Sequence, residues 1–306
     1  MPAGPKLAVA LVNWNNRDYL RACLESIEAA ALPFETEVVV ADHGSTDGSL
    51  EMLAGRFPQV RVIQNEGNVG VARGNNQCIR NSRAPYIYIL NNDTLVNHDS
   101  VLAMLRFLDD RPDVGAAGGN LVHRDGSLQA SFNHFPTLRE EFLLVTHLGA
   151  RRNPRFPGHN GRWPEPRPVD WLSSASIMVR RAAIEAIGLI DESYFIYSDE
   201  TDWQYRLWRA GWKVYYLPEV TTIHFGGVSF KPGGRRYTLV YRGRMLFARK
   251  HYSRAYCLAQ RLLFGTAAAG RQLVWLGLLL APRWRPAARR QLRSNFETLR
   301  LCIALE

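Results

Sequence analysis

An α/β fold is predicted, with a mostly parallel sheet flanked by helices and a C-terminal helical extension. Three observations carry it. Through the first 120 residues, short apolar or β-branched runs alternate with segments of helical period. After each of the first four runs stands a cluster of Asn, Asp, Gly and Ser, the chemistry of sheet-edge turns. After residue 234 the pattern becomes continuously helical and Arg-rich.

The elements follow in order. Residues 7–12 read as a first strand, a run too short for the apolar core of a signal peptide. Residues 17–30 place Leu20, Leu24 and Ile27 on one helical face. Residues 37–41 (EVVVA) form a strand buried on both faces, and 50–56 a short helix opened by Asp47-Gly48-Ser49. Strand 60–64, helix 69–82, strand 86–90 (YIYIL), helix 100–110 and strand 114–118 complete the alternation. Residues 133–169, rich in Pro, Arg and Gly, are expected to be a loop or lid. Beyond it, 170–179 reads as strand, 181–187 and 200–210 as helices, and 214–217 and 220–223 as strands. Helices are expected over 237–251, 254–280 and 287–301.

Composition limits the function classes. The 306 residues are 46% hydrophobic and 22% charged, which excludes wholesale disorder. The net charge of +10 is unevenly placed: from Lys231 onward there are sixteen Lys and Arg against two acids, Glu297 and Glu306. The remainder is mildly acidic. This division, with no nucleic-acid-binding motif, argues against a nucleic-acid partner. Cys23, Cys78, Cys257 and Cys302 are dispersed, against a zinc ribbon or disulfide framework and in keeping with a reducing cytoplasmic setting. No GxGxxG follows any strand, which excludes a dinucleotide-dependent oxidoreductase.

In a sheet of this kind, ligands bind beyond the strand carboxyl ends. Those ends carry Asn13 and Asn15, then Asp42 with Gly44 and Ser45, then Asn68 and Gly70, then Asn91 and Asp93. Each cluster alone is ordinary turn chemistry. Four along one edge suit a nucleotide, with Asp42 accepting from ribose or base and Asp93 holding a divalent cation between two phosphates.

In order, VALVNWNN, VVVADHGSTDGS, NEGNVGVARGNNQCI and YIYILNNDT resemble the nucleotide-binding half of family 2 glycosyltransferases, over residues 1–120. The stretch from VDWLSSAS to TTIHFGG resembles the acceptor half, within 121–234. The likeness covers residues 6–230 and is strongest to the rhamnosyltransferase-like branch.

The resemblance implies a GT-A catalytic domain over 1–234, an inverting reaction and a nucleoside-diphosphate sugar donor, dTDP- or UDP-linked. It implies a lipid-linked or polysaccharide acceptor and a divalent cofactor, Mn2+ or Mg2+. Rhamnose is the sugar the branch implies; another hexose or N-acetylhexosamine, or a non-catalytic glycan-binding protein, are the alternatives. Carried over by residue, Asn13, Asn15, Asp42, Ser45, Asn68, Gly70 and Asn75 line the donor. Asn91 and Asp93 are the two ends of a DxD-like motif in which only Asp93 is a carboxylate, and His224 adds a metal or phosphate contact. Asp170 and Trp171 are assigned to acceptor or sugar, although Trp171 also suits plain burial. His43 and Ser174 depart from the family's usual Asn and Gly.

Inversion needs one base for the acceptor hydroxyl. The family's Glu-Asp-x-Asp appears here as Asp199-Glu200-Thr201-Asp202, which makes Glu200 the matching base and leaves Asp199 a competitor. Carboxylates at a helix start are also favoured by capping and by the helix dipole.

Residues 235–306 read as a basic amphipathic tail. Its apolar stretch is broken by Arg271 and flanked by Arg283, Trp284, Arg285, Arg289, Arg290 and Arg293. That is short for a membrane crossing and suited to peripheral attachment at the inner face of the plasma membrane. Packing on the catalytic domain, or a homo-dimer, is the competing use.

Overall fold

The computed structural model describes residues 4–146, 148–149, 163–226 and 235–304. These divide into two units. One comprises 1–135, 158–195 and 199–229; the other comprises 136–157, 196–198 and 230–306.

The first unit is built on strand β1 (Leu7–Asn13), nearly all of it buried. Burial on both faces explains why it is an uninterrupted apolar run. It pairs in parallel with β2 (Thr36–Asp42) and β4 (Tyr86–Asn91), and β2 pairs in parallel with β3 (Arg61–Gln64). Strand alternation sorts the side chains. Leu7, Val9 and Leu11 pack with Leu20 and Leu24 of helix α1 (Arg17–Ala29) and with Met104, Leu105 and Leu108 of α4 (His98–Asp110). Ala8, Ala10 and Ala41 face the other way, and their small size admits Ala72, Cys78 and Ile79 of α3 (Val71–Arg80). Each fully buried leucine contributes roughly 1.5–3 kcal/mol. The short helix α2 (Ser49–Arg56) completes the expected β–α alternation.

Beyond β4 the sheet departs from the simple parallel expectation. β5 (Thr94–Leu95) and β6 (Val114–Val122) follow in the chain, but the strand beside β4 is β10 (Ser176–Arg180), antiparallel to both β4 and β6. With β11 spanning Lys213–His224, the main path of the sheet runs β3-β2-β1-β4-β10-β6-β11-β5. The run expected as one strand over 170–179 is split. Its first part, β9 (Trp171–Leu172), pairs with β7 (Phe132–Asn133) in a separate ribbon. The break falls at 173–175, where Ser173 N–H donates to the Ser131 carbonyl and Asn91 N–H to that of Ala175.

The two strands expected over 214–223 are one, β11 (Lys213–His224), with a register shift between Leu217 and Thr221. Pro218 has no N–H to give the ladder, and Asn120 Nδ2 caps its carbonyl at 2.8 Å. β11 runs parallel to β6, takes β8 (Arg167–Pro168) on its other side, and pairs antiparallel with β5 at His224↔Thr94. Helices α6 (Arg181–Ile187) and α7 (Asp199–Arg209) lie where the sequence pattern puts them.

The second unit is helical: α5 (Leu138–Val145), α8 (Arg235–His251), α9 (Arg254–Leu278) and α10 (Arg285–Ile303). Helix α5 interrupts the expected 133–169 loop. Thr137 and Glu140 close a capping box at its start, and 151–162 lie outside the described residues. Glu141 of α5 is fully buried, paired with Arg244 at 2.8 Å and with Gln260 at 3.0 Å. Val145, Tyr241 and Phe264 form the small core. The basic helices therefore share a core with an upstream segment. Among the described residues no helix is long and apolar enough to cross a membrane.

Candidate active site

The carboxyl ends of β1, β2 and β4 are tied together by side chains. Asn13 Nδ2 donates to Asp42 Oδ1 at 2.8 Å and to Ser45 Oγ at 3.1 Å, and Asn13 Oδ1 accepts from Asn92 Nδ2 at 2.8 Å. Ser45 gives Asp42 two more bonds, from Oγ at 2.7 Å and from its backbone N–H at 2.9 Å. Asn13 and Asp42 are both fully buried. Asp42 Oδ1 thus accepts two bonds and Oδ2 one, which leaves Oδ2 one further lone pair for a base or ribose donor. Asn15, at φ 52°, accepts Thr46 N–H at 2.7 Å and so pins the first loop to the second. Asn92 is also a member of this web; it stands in the polar cluster of the YIYILNNDT segment, where the sequence pattern gives it no separate role.

The third loop is shaped by backbone. Asn68 Oδ1 accepts Gly70 N–H at 3.0 Å. Gly70 sits at φ 90°, and a Cβ there would stand 2.9 Å from the Phe195 carbonyl oxygen, which accepts Val71 N–H. Asn75 is buried one turn into α3. Gly74 of that helix leaves room for His43, whose buried Nε2 has no partner. Burial pushes the His43 pKa down, against a smaller upward pull from its bond to Asn68. Its ring is neutral at pH 7.

At the fourth strand end, the β5–β11 pairing brings His224 onto Asp93. His224 Nε2 lies 3.4 Å from Asp93 Oδ1 and 3.4 Å from Asn91 Nδ2. Asp93 Oδ2 accepts Gly226 N–H at 3.1 Å. His224 Nδ1 is 2.8 Å from Gln129 Oε1, so Nδ1 carries the proton and the Nε2 lone pair faces the carboxylate. An imidazole nitrogen whose lone pair is held only by a long contact to Asn91 Nδ2, beside a carboxylate oxygen, fits a divalent cation. Among the described residues no cluster of three or more His, Cys, Asp and Glu is arranged to hold one. A cation here would complete its shell from a diphosphate and water.

The acidic cluster opens α7, directly after Tyr197 and Ser198 at φ 66° and 65°. Two consecutive left-handed residues without glycine are strained. Asp199 is buried, and its Oδ2 has no hydrogen-bond partner. Glu200 is half-buried and bonds to Asp199 side chain to side chain. Burial raises both carboxyls, and the Asp199 charge raises Glu200 further, well above the ordinary range.

Asp202 acts on Asp199 through its charge but is held differently. It is fully buried, with Arg206 Nε at 3.0 Å and Tyr194 Oη at 3.3 Å. Both of its carboxylate oxygens are engaged by residues of its own helix and the preceding turn, whereas Asp199 Oδ2 is not. Asp170 Oδ2 accepts Phe135 N–H at 2.8 Å, with His134 Nδ1 at 3.4 Å, and Trp171 Nε1 donates to the His134 carbonyl at 3.0 Å. Both therefore anchor the 132–135 strand region, and Trp171 keeps part of its ring exposed.

The model of "Glycosyl transferase family 2" matches residues 8–188, more than half of the chain. This protein is a family 2 glycosyltransferase. It is 31% identical over 232 residues to the N-acetylglucosaminyl-diphospho-decaprenol L-rhamnosyltransferase of Mycobacterium tuberculosis, covering 71% of this chain and 75% of that protein. It is 23% identical over 227 residues to the rhamnosyltransferase WbbL of Escherichia coli K12, covering 71% and 82%. Among solved structures it is similar to the mannosyltransferase PcManGT from Pyrobaculum calidifontis in complex with GDP-Man and Mn2+. There the TM-score is 0.58 at 16% identity, over 97% of this chain and 86% of that one. At that identity the likeness speaks for the fold, which is GT-A. The glycosyltransferase is thus an enzyme of the GT-A class, and the transferase motifs fall at its sheet edge.

Proposed function

We propose that this glycosyltransferase moves rhamnose, with inversion, from a nucleoside-diphosphate donor to a lipid-linked or polysaccharide acceptor. The sugar and acceptor class rest on the 31% identical relative, a rhamnosyltransferase acting on N-acetylglucosaminyl-diphospho-decaprenol. The observation that carries the mechanism is the Asp199–Glu200 pair. Once ionised, Glu200 is an unusually strong carboxylate base, because burial and the Asp199 charge both favour its reprotonation. It takes the proton of the acceptor hydroxyl as that oxygen attacks the anomeric carbon. Asp199, buried and short of a partner, reinforces the base and aligns it. Asp93 and His224 would hold a divalent cation, Mn2+ or Mg2+, which when bound neutralises the charge of the departing diphosphate. Asn13, Asp42, Ser45 and Asn92 keep the strand ends in register, and Asn68 with Gly70 shapes the loop along the donor.

Turnover of dTDP-rhamnose, UDP-hexoses and UDP-N-acetylhexosamines on prenyl-diphosphate-linked acceptors tests this reading. Release of nucleoside diphosphate is expected from dTDP-rhamnose, and its loss from Asp93→Ala and Glu200→Gln. Full activity in both variants would overturn the assignment.

The helical unit supports a second, peripheral-membrane reading. Arg261 and Arg271 are the only charged residues between Arg254 and Arg283. Arg261 bonds the Cys302 and Ala304 carbonyls; Arg271 bonds the Val145 carbonyl, Tyr241 and Asn295. With both turned onto the unit, Leu258, Leu262, Leu273, Leu276 and Leu280 stay exposed on a face without charge of its own. Exposed Arg283, Trp284, Arg285, Arg289 and Arg290 follow it, a pattern suited to anionic lipid.

A further inference from the structure

Gln129 meets His224 on the imidazole nitrogen opposite Asp93, and it has a specific consequence for the cation site. A tight Asp-Gly turn brings it there. His123 N–H donates to the Ser127 carbonyl at 2.8 Å, Gly126 sits at φ 80°, and Asp125 Oδ1 accepts from the Ser127 N–H and hydroxyl. The chain then returns along β6, with Gln129 N–H on the Leu121 carbonyl at 2.8 Å. Because β6 pairs with β11 up to Val122↔Ile223, the Gln129 side chain reaches the next residue of β11, His224.

The orientation of the Gln129 amide is fixed by what surrounds it. Its nitrogen faces the His224 carbonyl oxygen, which only accepts, and also faces His123 Nδ1 at 2.9 Å. Flipping the amide would set oxygen against oxygen. Oε1 is therefore left for His224 Nδ1 at 2.8 Å, and an amide oxygen accepts only from a protonated nitrogen. A neutral His224 then has an unprotonated Nε2, the atom turned toward Asp93 Oδ1 and reached only by a long contact from Asn91 Nδ2.

We propose that Gln129 is a positioning residue for the cation site: it holds His224 as the Nδ1–H tautomer and in a fixed ring orientation, so that Nε2 is available beside Asp93. This rests on the cation reading given above. Residues that bond the far nitrogen of a ligating histidine typically change metal affinity about 10–100-fold when removed. His123 has a part in the same arrangement as the second acceptor for the Gln129 amide.

Two measurements on the full chain test it. Long-range 1H–15N correlation on metal-free protein labelled with 15N-histidine, at about pH 8.5 where imidazole is neutral, reports the tautomer, with His224→Ala giving the assignment. The wild type is expected as Nδ1–H, Gln129→Leu as largely Nε2–H, and Gln129→Glu as Nδ1–H again, because a carboxylate also accepts. Mn2+ affinity in the presence of a nucleoside diphosphate, read by electron paramagnetic resonance, is expected to fall about tenfold or more in Gln129→Leu and to recover in Gln129→Glu. Gln129→Met replaces the leucine variant if that one fails to fold. A wild-type Nε2–H tautomer, or a leucine variant with tautomer and affinity unchanged, overturns the proposal. Tautomers that shift as expected while His224→Ala leaves Mn2+ affinity unchanged would instead remove the cation reading, and the role of Gln129 at a cation with it.

Discussion

The Asp199 and Glu200 side chains meet in a hydrogen bond, which requires one of the two carboxyls to hold a proton, and burial pushes the pKa of both groups upward. The native chain therefore retains protons that the unfolded chain loses near pH 4. Between the unfolded and the raised folded values the native state binds more protons. Stability contributed by the pair thus falls as pH rises through that window, and remains low above it.

Glu200→Gln should separate catalysis from stability. Without a base, transfer is expected to fall about 10²–10⁴-fold. The neutral amide also relieves the buried like-charge pair, so the variant should melt about 2 °C above wild type at pH 8 and show no gain at pH 4. Thermal melts across pH and rates of nucleoside diphosphate release check both. In the wild type, the acid limb of kcat/KM should lie above the ordinary carboxylate range.

Asp202→Ala should behave in the opposite way. Asp202 is fully buried against Arg206 and Tyr194, and removing one partner leaves the guanidinium without its counter-charge. A loss of about 3–5 kcal/mol is expected, read as a lower urea midpoint. The fraction that stays folded should turn over within a few-fold of wild type. A stable but inactive variant would place Asp202 in the catalytic group.

The parallel strands were legible because a strand buried on both faces leaves an apolar run, and the helices because caps such as Asp47-Gly48-Ser49 announce them. β10 was not, since its place between β4 and β6 depends on pairings such as Met178↔Tyr88 and Met178↔Ala117, far apart in the chain. Two-residue β5 is too short to have a period, yet it sets His224 beside Asp93. The polar strand ends could be read directly, but not that Asn13 and Asp42 would face each other. Gln129 has no local signal at all: its role exists only through the 123–127 turn and the β6–β11 register. Arg271 misled, because its charge looked like a break in an apolar face and instead points into the helical unit.

Gly70→Ala should deform the donor loop. Gly70 lies at φ 90° and ψ 154°, a region nearly closed to side chains, and the new Cβ would press on the Phe195 carbonyl oxygen 2.9 Å away. A cost of about 2 kcal/mol or more is expected, with weakened binding of the donor nucleotide in a titration. Gly67→Ala, whose Cβ meets nothing within 4 Å, is the matched control and should be neutral.

The helical unit should be tested by point substitution and not by truncation. Removing everything after residue 254 would delete Gln260 and Phe264, uncovering the buried Glu141 and the core around Tyr241. Leu262→Glu with Leu273→Glu changes only exposed positions of α9 and should leave the melting temperature within about 2 °C. The pair puts acid on the face proposed to meet lipid. Sedimentation with vesicles of anionic phospholipid should fall at least severalfold relative to wild type, while turnover of a water-soluble acceptor analogue stays constant. Loss of a dimer in the double variant, with vesicle binding unchanged, would assign the same face to a second copy of the chain.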